Sequence, residues 1–355
     1  MPSPIPVSRL LPRDFYPSPG LGVCSSPLAV KHGSTLAVPG PRRTPHGRVA
    51  NSAKLWSSVI HWKELTAMQP VGSGGFGSVY RATYFGDTVA VKKVKKCSKN
   101  KLASRQSFWA ELNAAHLRHD NVVRVLAATT CVPANPENEN NIGTVLMEYV
   151  GSRNLHHIIY GCPQDALRSD TWLGYAADVA RGLRFLHAHG IVHLDIKPAN
   201  VSVSPGDVCK IVDFGSSVTV DRGAGWWDAG SVAPRLSHAG GTYTHRAPEL
   251  LRGESITPKA DIFSFGITLW QLITRQQPYC NRDREQVVYA VVAYHLRPPL
   301  DDEPLLQAAA APPGPQTSAP PGCRSLVCRC WSGEVTSRPG ADEVLVALEE
   351  LRPRL

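Results

Sequence analysis

From Leu65 to Val94 short β-type segments alternate with turn residues, among them Ser78-Val79-Tyr80 and Thr88-Val89-Ala90-Val91, a pattern that predicts an antiparallel sheet. Within this β-rich part, Ser107 to Leu117 fits one amphipathic helix. Beyond about Asp170 the period changes. Leu173, Ala176, Ala177, Ala180, Leu183, Phe185 and Leu186 recur at near-helical spacing up to Gly190, which reads as a helix stop. Ile262 to Ile273 is apolar on nearly every face and predicts a helix at the centre of a lobe. A β-rich front and an α-rich back, joined near Met147 to Val150, predict two lobes with a ligand cleft between them.

Residues 1–55 are rich in Pro, Gly, Ser and Arg without sustained periodicity and read as a flexible tail. Ser3-Pro4, Ser18-Pro19, Ser26-Pro27 and Thr44-Pro45 place hydroxyls there that suit a proline-directed kinase, and Ser3-Pro4 with Lys31 makes the tail a reasonable place for control of turnover. A second low-complexity stretch, about 308–321, reads as a surface loop, because periodic apolar sequence resumes after it. At 355 residues there is room for one two-lobed domain and a tail.

The apolar runs stay short of a membrane span, and the proline-bearing N-terminus lacks the apolar core of a secretory signal, so a cytoplasmic protein without membrane attachment is expected. The nine cysteines lack framework spacing and read as reduced thiols, with no zinc spacing at Cys323, Cys328 and Cys330. Much of the formal charge of +9 is local. The run Lys92, Lys93, Lys95, Lys96, Lys99, Lys101 and Arg105 reads as a solvated loop or helix entry, and without interleaved aromatics it does not suit nucleic acid.

Candidate chemistry begins at Gly72, Ser73, Gly74, Gly75, Phe76, Gly77, Ser78 and Val79, which fit G-x-G-x-x-G-x-V between two strand-like segments. Glycines let a backbone approach phosphates, and Phe76 at the tip helps exclude water. A dinucleotide fold would need a helix straight after these glycines, whereas a strand follows. Thirteen residues past Val79, Lys92 ends Val89-Ala90-Val91-Lys92, where an ammonium clamps α- and β-phosphates, and Glu111 is the carboxylate placed to hold it. The strongest block is His193-Leu194-Asp195-Ile196-Lys197-Pro198-Ala199-Asn200, with Asp213-Phe214-Gly215 thirteen residues beyond Asn200. Phosphoryl transfer requires a carboxylate to orient a hydroxyl and take its proton (Asp195), hard oxygen ligands for Mg²⁺ (Asn200, Asp213), and a cation against developing charge (Lys197).

On these motifs the chain resembles the eukaryotic protein kinase family over about residues 60–352. The resemblance implies an α+β bilobal protein kinase fold: a small antiparallel β-rich N-lobe (about 60–147) with one key helix, and a larger α-helical C-lobe (about 151–352). It implies ATP and Mg²⁺ as cofactors, Val71 and Ala90 beside the Gly-rich loop residues in the ATP site, Met147 as gatekeeper and Glu148 to Val150 as the adenine-binding hinge. Ala247-Pro248-Glu249 looks like the family's A-P-E, Asp261 and Gly266 its central-helix D-x-x-x-x-G, and Arg338 the arginine that pairs with the A-P-E glutamate. Lys197 and Thr242 are similar to the serine/threonine branch, in which that threonine bridges the catalytic aspartate and lysine.

Arg105 to Asn113, His193 to Asn200, Gly240 to Leu250 and Val288 to Tyr294 look like a MAP kinase kinase kinase of oocytes. That likeness implies a MAP kinase kinase as protein substrate, in meiotic maturation and metaphase II arrest; a monomer is expected separately. A pseudokinase scaffold is the competing reading, opposed by intact Lys92, Asp195, Asn200 and Asp213; a tyrosine kinase is opposed by Lys197 and Thr242.

Two positions depart from the family. Leu194 stands where most kinases have the arginine that grips a phosphorylated activation loop, so activity free of a loop phosphate is expected. Ser202 stands where an apolar residue usually underlies the adenine ring, which weakens packing against the base by about a kcal/mol. Trp226-Trp227, between Asp213 and Glu249, fits either a docking surface or loop packing.

Overall fold

A computed structural model describes residues 56–74, 77–96, 101–133, 141–161, 167–220, 242–300 and 322–352. The tail sites, Gly75, Phe76, Lys99, Trp226-Trp227 and the 308–321 stretch lie outside the described residues. The described residues fall within one compact unit.

The front of the chain forms the expected antiparallel sheet. Strands β1 (Leu65–Gly74), β2 (Gly77–Tyr84), β3 (Asp87–Lys95), β4 (Val125–Thr129) and β5 (Asn141–Glu148) lie in the order β1-β2-β3-β5-β4. The two residues joining β2 to β3, Phe85 (φ 49°) and Gly86 (φ 88°), both take positive φ, the geometry that matches the twist of a tight hairpin. Alternation along β3 sends Val89 and Val91 to the outer face, with Ile60, Ala82, Ala127 and Leu146. Ala90, Lys92 and Val94 therefore look inward. Upstream of β1, Ser57 exchanges backbone hydrogen bonds with the free edge of β4, donating to Leu126 (2.9 Å) and accepting from Ala128 (2.9 Å).

Helix α1 (Lys101–Asn113) crosses the inner face of this sheet. It starts six residues before the expected Ser107 and stops four before Leu117. Lys101 and Arg105 are good helix formers that extend it backward, while Ala115 and Leu117 donate to residues three back (3.0 and 3.1 Å) and turn the chain off the axis. The cationic run is thus divided rather than solvated as a whole: Lys92, Lys93 and Lys95 lie on β3, and Lys92 is only 4% exposed.

The second lobe contains helices α2 (Leu155–Tyr160), α3 (Ser169–Ala188), α4 (Pro248–Leu251), α5 (Lys259–Thr274), α6 (Arg284–Ala293), α7 (Cys323–Cys330) and α8 (Ala341–Glu350). Helix α3 buries the predicted stripe apart from half-buried Phe185, and Gly190 (φ 71°) follows its end. Helix α5 is buried from Ala260 to Leu272, as its uniformly apolar sequence predicts. A Cβ at Gly266 would lie 2.9 Å from Cys330 Cβ, so glycine lets α7 close on α5. Burial pushes the Cys323 and Cys330 thiols up to about 12, consistent with packing groups rather than reactive ones.

Short strands β6 (Arg153–Asn154), β8 (Val201–Val203) and β9 (Cys209–Ile211) make a small sheet beneath the cleft, and β7 (Ile191–Val192) pairs with β10 (Val218–Thr219). One apolar core joins Phe108, Val145 and Met147 of the front lobe to Leu173, Phe214, Phe263 and Trp270 of the back lobe. Among the described residues no helix is long and apolar enough to cross a membrane.

Candidate active site

Two clusters of polar residues face each other across the cleft. The first is built on β3, α1 and the turn after β9. Lys92 Nζ, carried inward by the β3 alternation, pairs with the Glu111 carboxylate on α1 and with Asp213 Oδ1 at 2.6 Å. Burial opposes the Lys92 charge, yet the two carboxylates outweigh it and raise its pKa. Glu111, 1% exposed, is pushed up by burial against the pull of Lys92. Asp213 is held at about 2, since Lys92 overcomes the burial that would raise it. Its backbone is left-handed (φ 65°), which turns the carboxylate toward the cleft while Phe214 tucks into the core, 1% exposed. The Phe214 ring meets the His193 ring edge-on at 4.9 Å.

The second cluster surrounds Asp195. Oδ1 accepts from the Thr242 amide (2.8 Å) and hydroxyl (3.0 Å), and Oδ2 from Lys197 Nζ and Asn200 Nδ2 (both 2.8 Å). Lys197 also donates to Thr242 Oγ1 at 2.6 Å, so Thr242 bridges the aspartate and the lysine. Asp261 of α5 carries this loop from below. Its carboxylate accepts from the backbone amides of His193 and Leu194 (both 2.8 Å) and from His187 Nε2 (2.9 Å). Leu194 takes φ 63°, and its side chain, 7% exposed, belongs to the apolar core. His193 Nε2–H donates to the Val212 carbonyl (3.1 Å), which leaves Nδ1 to accept from the Asp195 amide (3.3 Å).

The remaining expected site residues surround these clusters. Met147 is buried opposite Ala90 in the β3–β5 ladder, and Glu148 and Val150 follow it at the lobe junction. Gly72, Ser73, Gly74, Gly77, Ser78 and Val79 line the β1–β2 hairpin, with Ser73 and Ser78 hydroxyls 3.2 Å apart. Val71 is 54% exposed on β1. Ser202 points away from buried Val201 and Val203, onto the face where its strand partner Lys210 reaches Glu148 (2.9 Å). That face looks toward the lobe junction.

Three features had no signal in the sequence pattern. His187 supports Asp261 across 74 residues of chain. Arg246, four residues beyond the Thr242 that bonds Asp195, is buried. Under the Thr242–Arg246 segment runs a directed chain: Gln271 Nε2 donates to Tyr160 Oη (2.7 Å), so Gln271 Oε1 accepts from His245 Nε2 (2.7 Å), and Thr244 Oγ1 donates to His245 Nδ1 (2.9 Å). Burial pushes the His245 imidazole down to about 4 despite the Gln271 contact. A pKa below the unfolded 6.5 means the fold requires neutral His245; its contribution is complete above 6.5 and is lost as pH falls toward 4. Thermal melts should show about 3 kcal/mol of stability lost over that range, a slope that His245→Gln flattens.

A protein kinase domain model matches residues 65–347. Over 369 residues the chain is 47% identical to serine/threonine-protein kinase mos of Gallus gallus, covering 100% of both chains. Over 352 residues it is 50% identical to that of Xenopus laevis, covering 99% of this chain and 93% of the relative. The chain belongs to the mos family of serine/threonine protein kinases. It is also 45% identical over 365 residues to the proto-oncogene serine/threonine-protein kinase mos of Mus musculus, again across 100% of both.

Kinases of this family use ATP and Mg²⁺ generally. The donor set fits them. With Asn200 Nδ2 turned onto Asp195, its Oδ1 has no hydrogen-bond partner among the described residues, and neither does Asp213 Oδ2. Two hard oxygens without a surrounding cage suit an ion that keeps waters and phosphate oxygens in its shell.

Proposed function

We propose that the kinase phosphorylates serine or threonine of a MAP kinase kinase, acting as a cytoplasmic monomer in oocyte meiotic maturation and metaphase II arrest. The substrate and setting rest on the likeness of Arg105 to Asn113, His193 to Asn200, Gly240 to Leu250 and Val288 to Tyr294 to that class of kinase, and on full-length similarity to mos kinases.

The observation that carries the chemical reading is Asp195 with Lys197 and Thr242 around it. Asp195 orients the acceptor hydroxyl and takes its proton at a carboxylate oxygen. Lys197, anchored on both Asp195 and Thr242, faces the charge that develops beside it. Asn200 Oδ1 and Asp213 would hold Mg²⁺, and Lys92, fixed by Glu111, would hold phosphate oxygens below the β1–β2 hairpin. When bound, MgATP supplies the phosphoryl group and the metal charge that offsets its negative oxygens. Incubating the purified chain with labelled ATP and inactive MAP kinase kinase should give transfer that an Asp195→Asn chain lacks. Equal transfer by both would reject the assignment.

Leu194 supports control by abundance rather than by a loop phosphate. A buried apolar side chain at this position offers no charge-assisted bond to a phosphoryl group. Phosphatase treatment should leave activity within about twofold, and Thr244→Asp should not raise it; a phosphatase-sensitive kinase would contradict this.

A further inference from the structure

We infer that the outward face of α6, carried by Tyr289 and Tyr294, is the surface on which a folded protein substrate docks while its hydroxyl lies at Asp195. The inference takes that substrate to be the MAP kinase kinase proposed above.

Val287 to Tyr294 is an unbroken run of apolar and aromatic residues, Val-Val-Tyr-Ala-Val-Val-Ala-Tyr. A helix on a protein surface turns polar side chains outward, so a run of this kind is apolar on a side that the core does not cover. The inner side is Val287, Ala290 and Val291, all buried. Tyr289, two residues past Val287 and so on roughly the opposite side of the helix, is 63% exposed, and Tyr294 is 72% exposed. Their rings meet edge-on at 5.6 Å, an arrangement that aromatic pairs favour. The backbone beneath them is fixed as well. The Tyr294 and Leu296 amides both donate to the Ala290 carbonyl (3.0 Å), and His295 between them takes φ 51°. Two exposed rings held against each other lose little freedom on binding, and tyrosines so placed are the residues that anchor protein interfaces.

The position of the helix identifies the occupant. Helix α6 lies against the Tyr243–His245 turn, where Tyr243 packs on the cluster of Tyr279, Val287 and Val291. The adjoining Thr242 bonds Asp195 through its amide and hydroxyl (2.8 and 3.0 Å). The outer face of α6 is thus continuous with the wall of the acceptor site. A folded protein that brings a serine or threonine to Asp195 spreads over this helix, whereas a peptide of a few residues need not reach it. Each tyrosine has an apolar body and a polar tip, so the matching surface on the substrate is apolar, with hydrogen-bonding groups at its rim.

The test compares the purified full chain with the double variant Tyr289→Ser, Tyr294→Ser on two acceptors: folded inactive MAP kinase kinase, and a short peptide carrying only its acceptor segment. KM for the folded protein should rise about tenfold or more, with kcat at saturation and kcat/KM for the peptide within about twofold of the parent chain. Tyr289→Phe with Tyr294→Phe, which keeps both rings, should hold KM within about threefold. An unchanged KM for the folded protein overturns the inference, as does an equal loss on the peptide, which would make the tyrosines part of the fold. A parent chain whose sedimentation coefficient rises with concentration, where that of the double variant does not, assigns the face to a second copy instead. A lower melting temperature in the double variant with KM unchanged assigns it to another segment of the same chain. No transfer from the parent chain to the folded protein would remove the substrate assignment on which the inference rests.

Discussion

Asp195→Asn is expected to lower kcat by about 10²- to 10⁴-fold, the range that a positioned proton acceptor contributes. The substitution is isosteric but cannot be electrostatically silent. The carboxylate is surrounded by donors: the Thr242 amide and hydroxyl on one oxygen, Lys197 and Asn200 on the other. Whichever way the new amide turns, its NH₂ faces donors, so about 1–3 kcal/mol of stability should also be lost. Three measurements separate these effects. Single-turnover transfer should collapse, a melting curve should shift modestly, and nucleotide affinity should change little, because Lys92 and Asp213 make no hydrogen bond with Asp195 and Asn200 Nδ2 keeps its bond to the Asp195 backbone carbonyl (2.9 Å). A variant that retains more than about a tenth of the transfer rate would place the proton acceptor elsewhere.

The largest effect on stability should come from Arg338. Its guanidinium donates to both oxygens of Glu249 (2.6 and 2.7 Å), to the Ser332 and Lys259 carbonyls (both 2.9 Å), and lies 5.1 Å from the Phe263 ring centroid. Both partners are 1% exposed. Arg338→Met leaves a carboxylate buried without a counter-charge, a loss of about 3–5 kcal/mol from a total stability of about 5–15. The melting temperature should fall by on the order of 10 °C. Adding Glu249→Gln removes the stranded charge and should recover part of the loss; a double variant no better than the single would assign the effect to packing instead.

The motif residues were legible because their chemistry fixes both residue type and chain order. Lys92 must lie on a strand whose alternation turns it inward, and Asp195, Asn200 and Asp213 must supply oxygens along one stretch of chain. The apolar period likewise marked α3 and α5, whose buried faces repeat the sequence pattern. The start of α1 was not legible, because Lys101 to Gln106 has no apolar stripe and its helicity comes from propensity and from continuity with the packed turns of Ser107 to Asn113. Nor was the chain from Thr244 through His245 and Gln271 to Tyr160, since hydrogen bonds between residues 26 and 111 apart leave no local period. The burial of Arg246 escapes for the same reason.

Ser57 precedes the matched kinase domain, yet its backbone occupies the outer rim of β4, the last strand of the five-stranded sheet. An uncovered rim of unpaired amides and carbonyls is a template for association with other chains. The kinase pairs Leu126 and Ala128 of that rim with its own polypeptide, eight residues before Leu65, so trimming the protein at the family boundary would leave this part of the rim open to other chains.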